Sequence, residues 1–264
     1  MRFALFAGFA LGLALFQPAA AADGDPKPLK DVSFSFEGPF GMFNRADLQH
    51  GLQVYKEVCS ACHSLNRVAF HTLDEPGGPG FTEAQMKAIA AGYHVLAGPN
   101  DKGETLDDKG NPLTRAGTPA DHFPPPFPNE EAARTANGGA LPPDLSLIEK
   151  ARAGGAHYVY SLLTGFHEAP PAGFKVTANK YYNPYFIGWN ISMPPPLADG
   201  QVTFVDGAPS KIADEAYAVA TFLAWTGEPH LEDRHRIGVG VMIFLIVLSG
   251  LLYLSYRKVW KDAH

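Results

Sequence analysis

The sequence predicts a mainly α protein: a loop-rich exported domain followed by one C-terminal transmembrane helix. Three observations carry that reading. Residues 237–256 (IGVGVMIFLIVLSGLLYLSY) run for twenty positions without a charge. Apolar residues recur at helical spacing in segments 44–58 and 212–225. Glycine (27) and proline (23) together make nearly a fifth of the chain, above the usual ~12% yet below disordered compositions, so loops should wrap a core.

Along the chain, Arg2 is a lone basic n-region, residues 3–16 form an apolar h-region, and Ala20, Ala21 and Ala22 fit small-residue cleavage before Asp23. Residues 1–22 are therefore expected to be a cleaved bacterial signal peptide, with an exported domain over 23–236. Asn44 caps a helix through Val58 that presents Leu48, Leu52 and Tyr55 on one face. Thr82 and Gln85 have capping-box spacing for a short helix ending at Ala91, and Ser146 with Glu149 predicts a second such start, reaching Arg152. Residues 99–128 lack a sustained period and read as loop. A short helix is expected over 157–165, an aromatic, proline-rich loop over 179–197, and a strand or hairpin over 201–205 with Asp206-Gly207 as its turn. The helix over 212–225 stops at Gly227 and Pro229. Gly51 and Ala220 are placed where the first and last soluble helices cross, because bulk there would hold the axes apart.

At 1.5 Å per residue, the uncharged run spans roughly 30 Å, the thickness of a bilayer's hydrocarbon core. A buried helix of that length would carry a polar stripe, and this one has almost none. Arg257, Lys258 and Lys261 follow it. Together with the signal peptide they put the tail, 257–264, in the cytoplasm and the domain in the periplasm of a bacterial inner membrane. Excluding Arg2, Arg257, Lys258, Lys261 and Asp262, the domain holds 17 basic and 26 acidic side chains, a net charge of about −9. That sign disfavours nucleic acid. It suits either solubility or the steering of a basic partner.

The chemistry sits in Cys59-Ser60-Ala61-Cys62-His63, a Cys-x-x-Cys-His run of the kind that attaches c-type haem. Each thiol adds to one vinyl group of the porphyrin, and the histidine becomes the proximal iron ligand. A zinc site needs further thiolate or imidazole ligands, and the chain has two cysteines only. A thiol redox site belongs in a βαβ context, whereas residues 53–58 read as helix. With both cysteines in the motif, no structural disulfide is available, so stability rests on core burial and haem.

The identity of the second axial ligand separates electron transfer from catalysis at the metal. Met1 lies in the signal and Met242 in the span; Met42 is too near the motif, and Met86 reads as helix core. Met193 precedes Pro194, Pro195 and Pro196, which stiffen the backbone and suit a thioether held on iron. The haem propionates call for a planar bidentate donor. From chemistry alone Arg134, Arg67 and Arg115 are equal candidates.

Segments 54–64, 139–146 (GALPPDLS), 158–165 (YVYSLLTG) and 182–186 (YNPYF) leading to Met193-Pro194-Pro195 resemble, in order, segments of the cytochrome c1 family. Phe222-Leu223-Ala224-Trp225, Glu228-Pro229 and the single C-terminal anchor complete the likeness. The resemblance implies a c-type cytochrome fold with large loop insertions and one covalently bound haem c. It also implies service in the ubiquinol–cytochrome c reductase (bc1) complex beside cytochrome b and a Rieske iron–sulfur protein. A periplasmic cytochrome c would be the electron acceptor and membrane lipid the surroundings of the span. The resemblance singles out Arg134 as the propionate partner and Met193 as the axial ligand. It makes the isolated chain an electron carrier, not an enzyme. The extra cysteine pair of some bacterial relatives is absent. Residues 96–122 are the part where the likeness guides least. The rival readings are a membrane-anchored haem peroxidase or reductase, which needs an open sixth site, and a freestanding tethered carrier. Glu104, Asp107 and Asp108, or Glu130 and Glu131, are the candidate docking patches for a basic cytochrome c.

Overall fold

Six helices and two small β-ladders follow one another in the computed structural model, which describes residues 24–262. The segment read as a signal peptide, 1–22, lies outside the described residues. In chain order the elements are α1 (Arg45–Glu57), α2 (Glu83–Ala91), β1 (His94–Leu96), β2 (Thr114–Ala116), α3 (Glu130–Ala136), α4 (Gly155–Gly165), β3 (Tyr181–Tyr182), β4 (Asn190–Ile191), α5 (Ile212–Gly227) and α6 (Leu231–Val259).

Helix α1 starts where expected: the Asn44 side chain accepts from Ala46 N at 3.0 Å. α2 carries the full Thr82–Gln85 capping box. α5 is the central helix, with eleven of its sixteen residues buried, and it packs against both α1 and α4. Gly51 does sit at the α1–α5 crossing. A Cβ there would stand 2.2 Å from Ala218 O and 2.5 Å from Phe222 Cβ. The facing residues are thus Ala218 and Phe222, not Ala220, which is buried elsewhere in the core. Around the crossing Tyr55, Phe70, Phe123, Phe222 and Trp225 are all nearly inaccessible to water. Tyr55 meets Phe123 edge-on at 5.9 Å between centroids, and Phe70 lies 4.5 Å from Phe123.

Several expectations fail for physical reasons. The second capping box does not form. Ser146 is buried and its hydroxyl accepts from Arg67 N at 3.1 Å, so residues 146–152 make turns instead of a helix. Helix begins only after Gly154, whose φ of 89° no side-chain-bearing residue adopts cheaply. Residues 201–205 alternate because Val202 and Phe204 are core, yet no strand pairs with them. Val202 N instead donates to the buried Glu215 carboxylate at 3.0 Å. Gly207 closes a turn onto Phe204 O with φ of 73°. The loop over 99–128 contains β2, which pairs antiparallel with β1, and the loop over 179–197 contains the antiparallel β3–β4 pair. Both ladders are too short to show a two-residue period.

Helix α6 is longer than the uncharged run. Its first six residues are charged or polar apart from buried Leu231, and they tie the span to the domain. Glu232 accepts from Phe43 N at 2.9 Å and pairs with Arg45 at 2.8 Å. The most apolar stretch of α6 is long enough to cross a membrane, and none of it is buried.

Candidate haem-attachment site

Helix α1 delivers the chain into a tight 3₁₀ turn, Cys59–Ala61. Cys62 N and His63 N both donate to Cys59 O, at 3.1 and 2.9 Å. Two thiols and one imidazole are thereby gathered on a single turn. The thiols are not joined to each other. Burial pushes the Cys59 thiol up to about 12, opposite to the lowered pKa that a thiol redox site needs. Among the described residues no group of three or more His, Cys, Asp or Glu assembles to hold a metal ion, so the zinc alternative has no ligand set.

His63 is oriented by the backbone. Its Nδ1 lies 2.8 Å from Pro143 O, and a carbonyl only accepts, so the proton is on Nδ1 and Nε2 is left with its lone pair. Burial lowers the His63 pKa against the opposing pull of the Pro143 carbonyl and Asp144, which keeps the ring neutral at pH 7. A neutral imidazole with a free Nε2 beside two unpaired thiols fits covalent haem.

The segment carrying Pro143 is fastened to the residues after the motif. Asp144 accepts from Ser64 Oγ at 2.8 Å, Asn66 N at 2.9 Å and Ser146 N at 2.9 Å. Leu145 N donates to Ser64 O at 2.9 Å. Burial opposes the charge on Asp144, but these donors outweigh it and hold the carboxyl below its usual range. From the other side, Tyr55 Oη donates to His63 O at 3.1 Å. Asp144, Ser64 and Tyr55 are positioning residues that sequence reasoning missed. The available signal was the Asp-x-Ser spacing of an Asx turn in 144–146.

Arg134 lies on α3, exposed, with Nη1 3.4 Å from Gly139 O. It therefore borders the same 139–146 segment whose Pro143 holds His63. Arg115 is bound bidentately to Asp121 at 2.6 and 2.7 Å, and that leaves its fork committed. Arg67 is exposed.

Met193 is held by a different part of the chain, two residues beyond β4, half-buried, before the prolines and buried Leu197. The hairpin is pinned to α4 by Asn183, whose side chain donates to Leu162 O at 2.7 Å and accepts from Tyr185 N at 3.1 Å. Gly165 makes room, since a Cβ there would stand 2.5 Å from the Tyr185 ring. Of the other methionines, Met86 is core, while Met42 and Met242 are exposed.

The chain matches the model of the Cytochrome C1 family over residues 34–263. It is 42% identical to cytochrome c1 of Rhodospirillum rubrum, with 92% of each chain covered. It is 45% identical to the mitochondrial cytochrome c1 haem protein of Saccharomyces cerevisiae, over 84% of this chain and 68% of that one. Its identity to the cytochrome b/c1 protein of Bradyrhizobium diazoefficiens is 48%, over 99% of this chain but 39% of the longer relative. A family-wide match, two thiols with an oriented histidine and one long apolar C-terminal helix lead to one conclusion: the chain belongs to the cytochrome c1 family, haem c-bearing electron-transport proteins of the bc1 complex.

Proposed function

We propose that this chain is the membrane-anchored subunit of ubiquinol–cytochrome c reductase that takes electrons from a Rieske iron–sulfur protein and passes them to a cytochrome c. The carrying observation is the His63–Pro143 bond, which leaves Nε2 as the only ring nitrogen free for a metal. Bound haem c supplies reversible one-electron chemistry, and the protein sets its place and potential. Cys59 and Cys62 would tether it, and His63 and Met193 would hold its iron. Met193 is supported because, among the described methionines, it alone is half-buried: Met86 is core, and Met42 and Met242 are exposed. Arg134 pairs with a propionate, supported by its exposed guanidinium and its single long contact to Gly139.

The organisation follows: a cleaved signal over 1–22, a periplasmic haem domain over 23–236, a span over 237–256 and a cytoplasmic tail over 257–264 in a bacterial inner membrane. Partnership with cytochrome b is supported by the relative whose printed name joins cytochrome b with c1.

The test is Met193→Leu in the haem-loaded protein. The midpoint potential falls and the ferrous iron binds carbon monoxide; a variant that keeps its potential and excludes carbon monoxide removes Met193 as ligand. Purification in mild detergent tests the assembly, with b haem and an iron–sulfur protein expected to accompany the chain.

A further inference from the structure

A cavity lies away from the motif, at the root of α6. It is a cleft of about 820 Å³ between residues 39–45, the turn at 74–81 and the first two turns of α6, ending on Val239. Two large apolar side chains on its rim, Phe40 and Met42, are 77% and 63% exposed. They flank Gly41, whose carbonyl accepts from His235 Nδ1 at 3.0 Å. Phe43 N donates to Glu232, and Arg45 bonds both Glu232 and Gly77 O, at 2.8 and 2.7 Å.

These bonds fix the height of the loop on the helix. His235 precedes the first residue of the uncharged run by two positions, about 3 Å along a helix axis. Phe40 and Met42 are therefore held at the level where α6 changes from charged to apolar. Resting on the reading of 237–256 as a membrane span, we propose that residues 39–42 form a second membrane contact: an interfacial foot whose Phe40 and Met42 insert at the headgroup–acyl boundary of the bilayer and set the standing angle of the haem domain.

The cleft's chemistry favours the bilayer's apolar boundary as occupant over a bound anion. Arg45 and Arg236 are already committed to Glu232 and Asp233, and Asp74 and Glu75 add further negative charge to the lining. Both guanidinium groups of the lining are thus paired with carboxylates, while Phe40 and Met42 stand exposed at the level of the apolar run, where a bilayer boundary would cover them.

The test uses the full haem-loaded chain in phosphatidylcholine nanodiscs. Both native cysteines are consumed by haem, so Phe40→Cys, Met42→Cys, Phe244→Cys and Lys102→Cys each offer a single thiol for a nitroxide label. Relaxation by oxygen, which partitions into lipid, is compared with relaxation by a water-soluble nickel chelate, with the haem kept ferrous. Labels at 40 and 42 are expected to show oxygen access well above the Lys102 reference and chelate access several-fold below it, approaching the mid-span label at 244. Water-like values at 40 and 42 beside a lipid-like 244 overturn the foot and leave the anchor standing. A water-like 244 overturns the anchor and the foot with it. Repeating the measurement in the assembled complex separates lipid from protein: exclusion of both probes at 40 and 42 there identifies a subunit interface and overturns the lipid contact. The haem absorption spectrum of each variant verifies that the fold is intact.

Discussion

Asp144 orients the His63 imidazole through the chain segment it holds, not through a bond of its own. It accepts from Ser64, Asn66 and Ser146 and thereby locks the segment whose Pro143 carbonyl orients His63. Asp144→Asn keeps the size but turns an amide group toward donors, so at least one of them loses its acceptor. The expected cost is about 1–3 kcal/mol in guanidinium unfolding of the haem-loaded protein, together with a shift in midpoint potential as the imidazole loosens. Tyr55→Phe, which removes only the bond to the His63 carbonyl, should cost less. An unchanged potential in Asp144→Asn would make the clasp purely structural. The Cys-x-x-Cys-His run was legible because adjacent residues define it. The clasp was not, because its two halves lie about eighty positions apart and each half alone is an ordinary polar loop.

Among the elements, the α1–α5 crossing and the α6 root lend themselves to separate tests. Gly51→Ala places a methyl against Ala218 O and the Phe222 side chain, and the axes must part. Overpacking of this kind costs about 1–3 kcal/mol. Gly238→Ala, which meets open space, leaves the stability of the domain unchanged, and thermal unfolding of the two variants distinguishes them. At the root, ending the chain after Arg236 keeps the bonds from Phe43, Arg45 and Gly41 to α6. That truncation should release a soluble domain that retains haem. Ending it after His230 removes buried Leu231 and Glu232 as well, and a lower unfolding midpoint is expected. Equal midpoints would mean that residues 231–236 do not stabilise the domain. Helical periodicity located both α1 and α5. The strand expected over 201–205 failed because an alternation of buried and exposed residues records only which side chains enter a core, and here a carboxylate on α5 took the backbone donor that a neighbouring strand would have taken.

Across the molecule, the acidic balance of the domain bears on docking. A net charge near −9 attracts a basic carrier over a Debye length of about 10 Å at 0.1 M salt. The two candidate patches are not equivalent. Asp107 spends its carboxylate on Lys109 and Asn111 within its own loop, and Glu104 accepts from Asn100. Glu130 and Glu131 are exposed in the first turn of α3, the helix that carries Arg134. Stopped-flow oxidation of the haem by a basic cytochrome c should slow as salt rises, and Glu130→Gln with Glu131→Gln should lower the low-salt rate more than neutralising Asp107 and Asp108. A rate flat in ionic strength removes the steering role.

Local chemistry alone located the Cys-x-x-Cys-His run with its histidine, the uncharged C-terminal run and the long helices, since each depends on residues within a few turns of one another. The pairing of β1 with β2 and β3 with β4, the loss of the Ser146 helix, the true partners of Gly51 and the bonds joining α6 to the domain depended on contacts between distant segments. Ser146 had two uses for its hydroxyl, a local cap or Arg67 N, and burial against a segment about eighty residues away chose the second. Ser146 is itself buried, and a buried hydroxyl left without a partner costs more than an unmade cap at a solvent-facing turn.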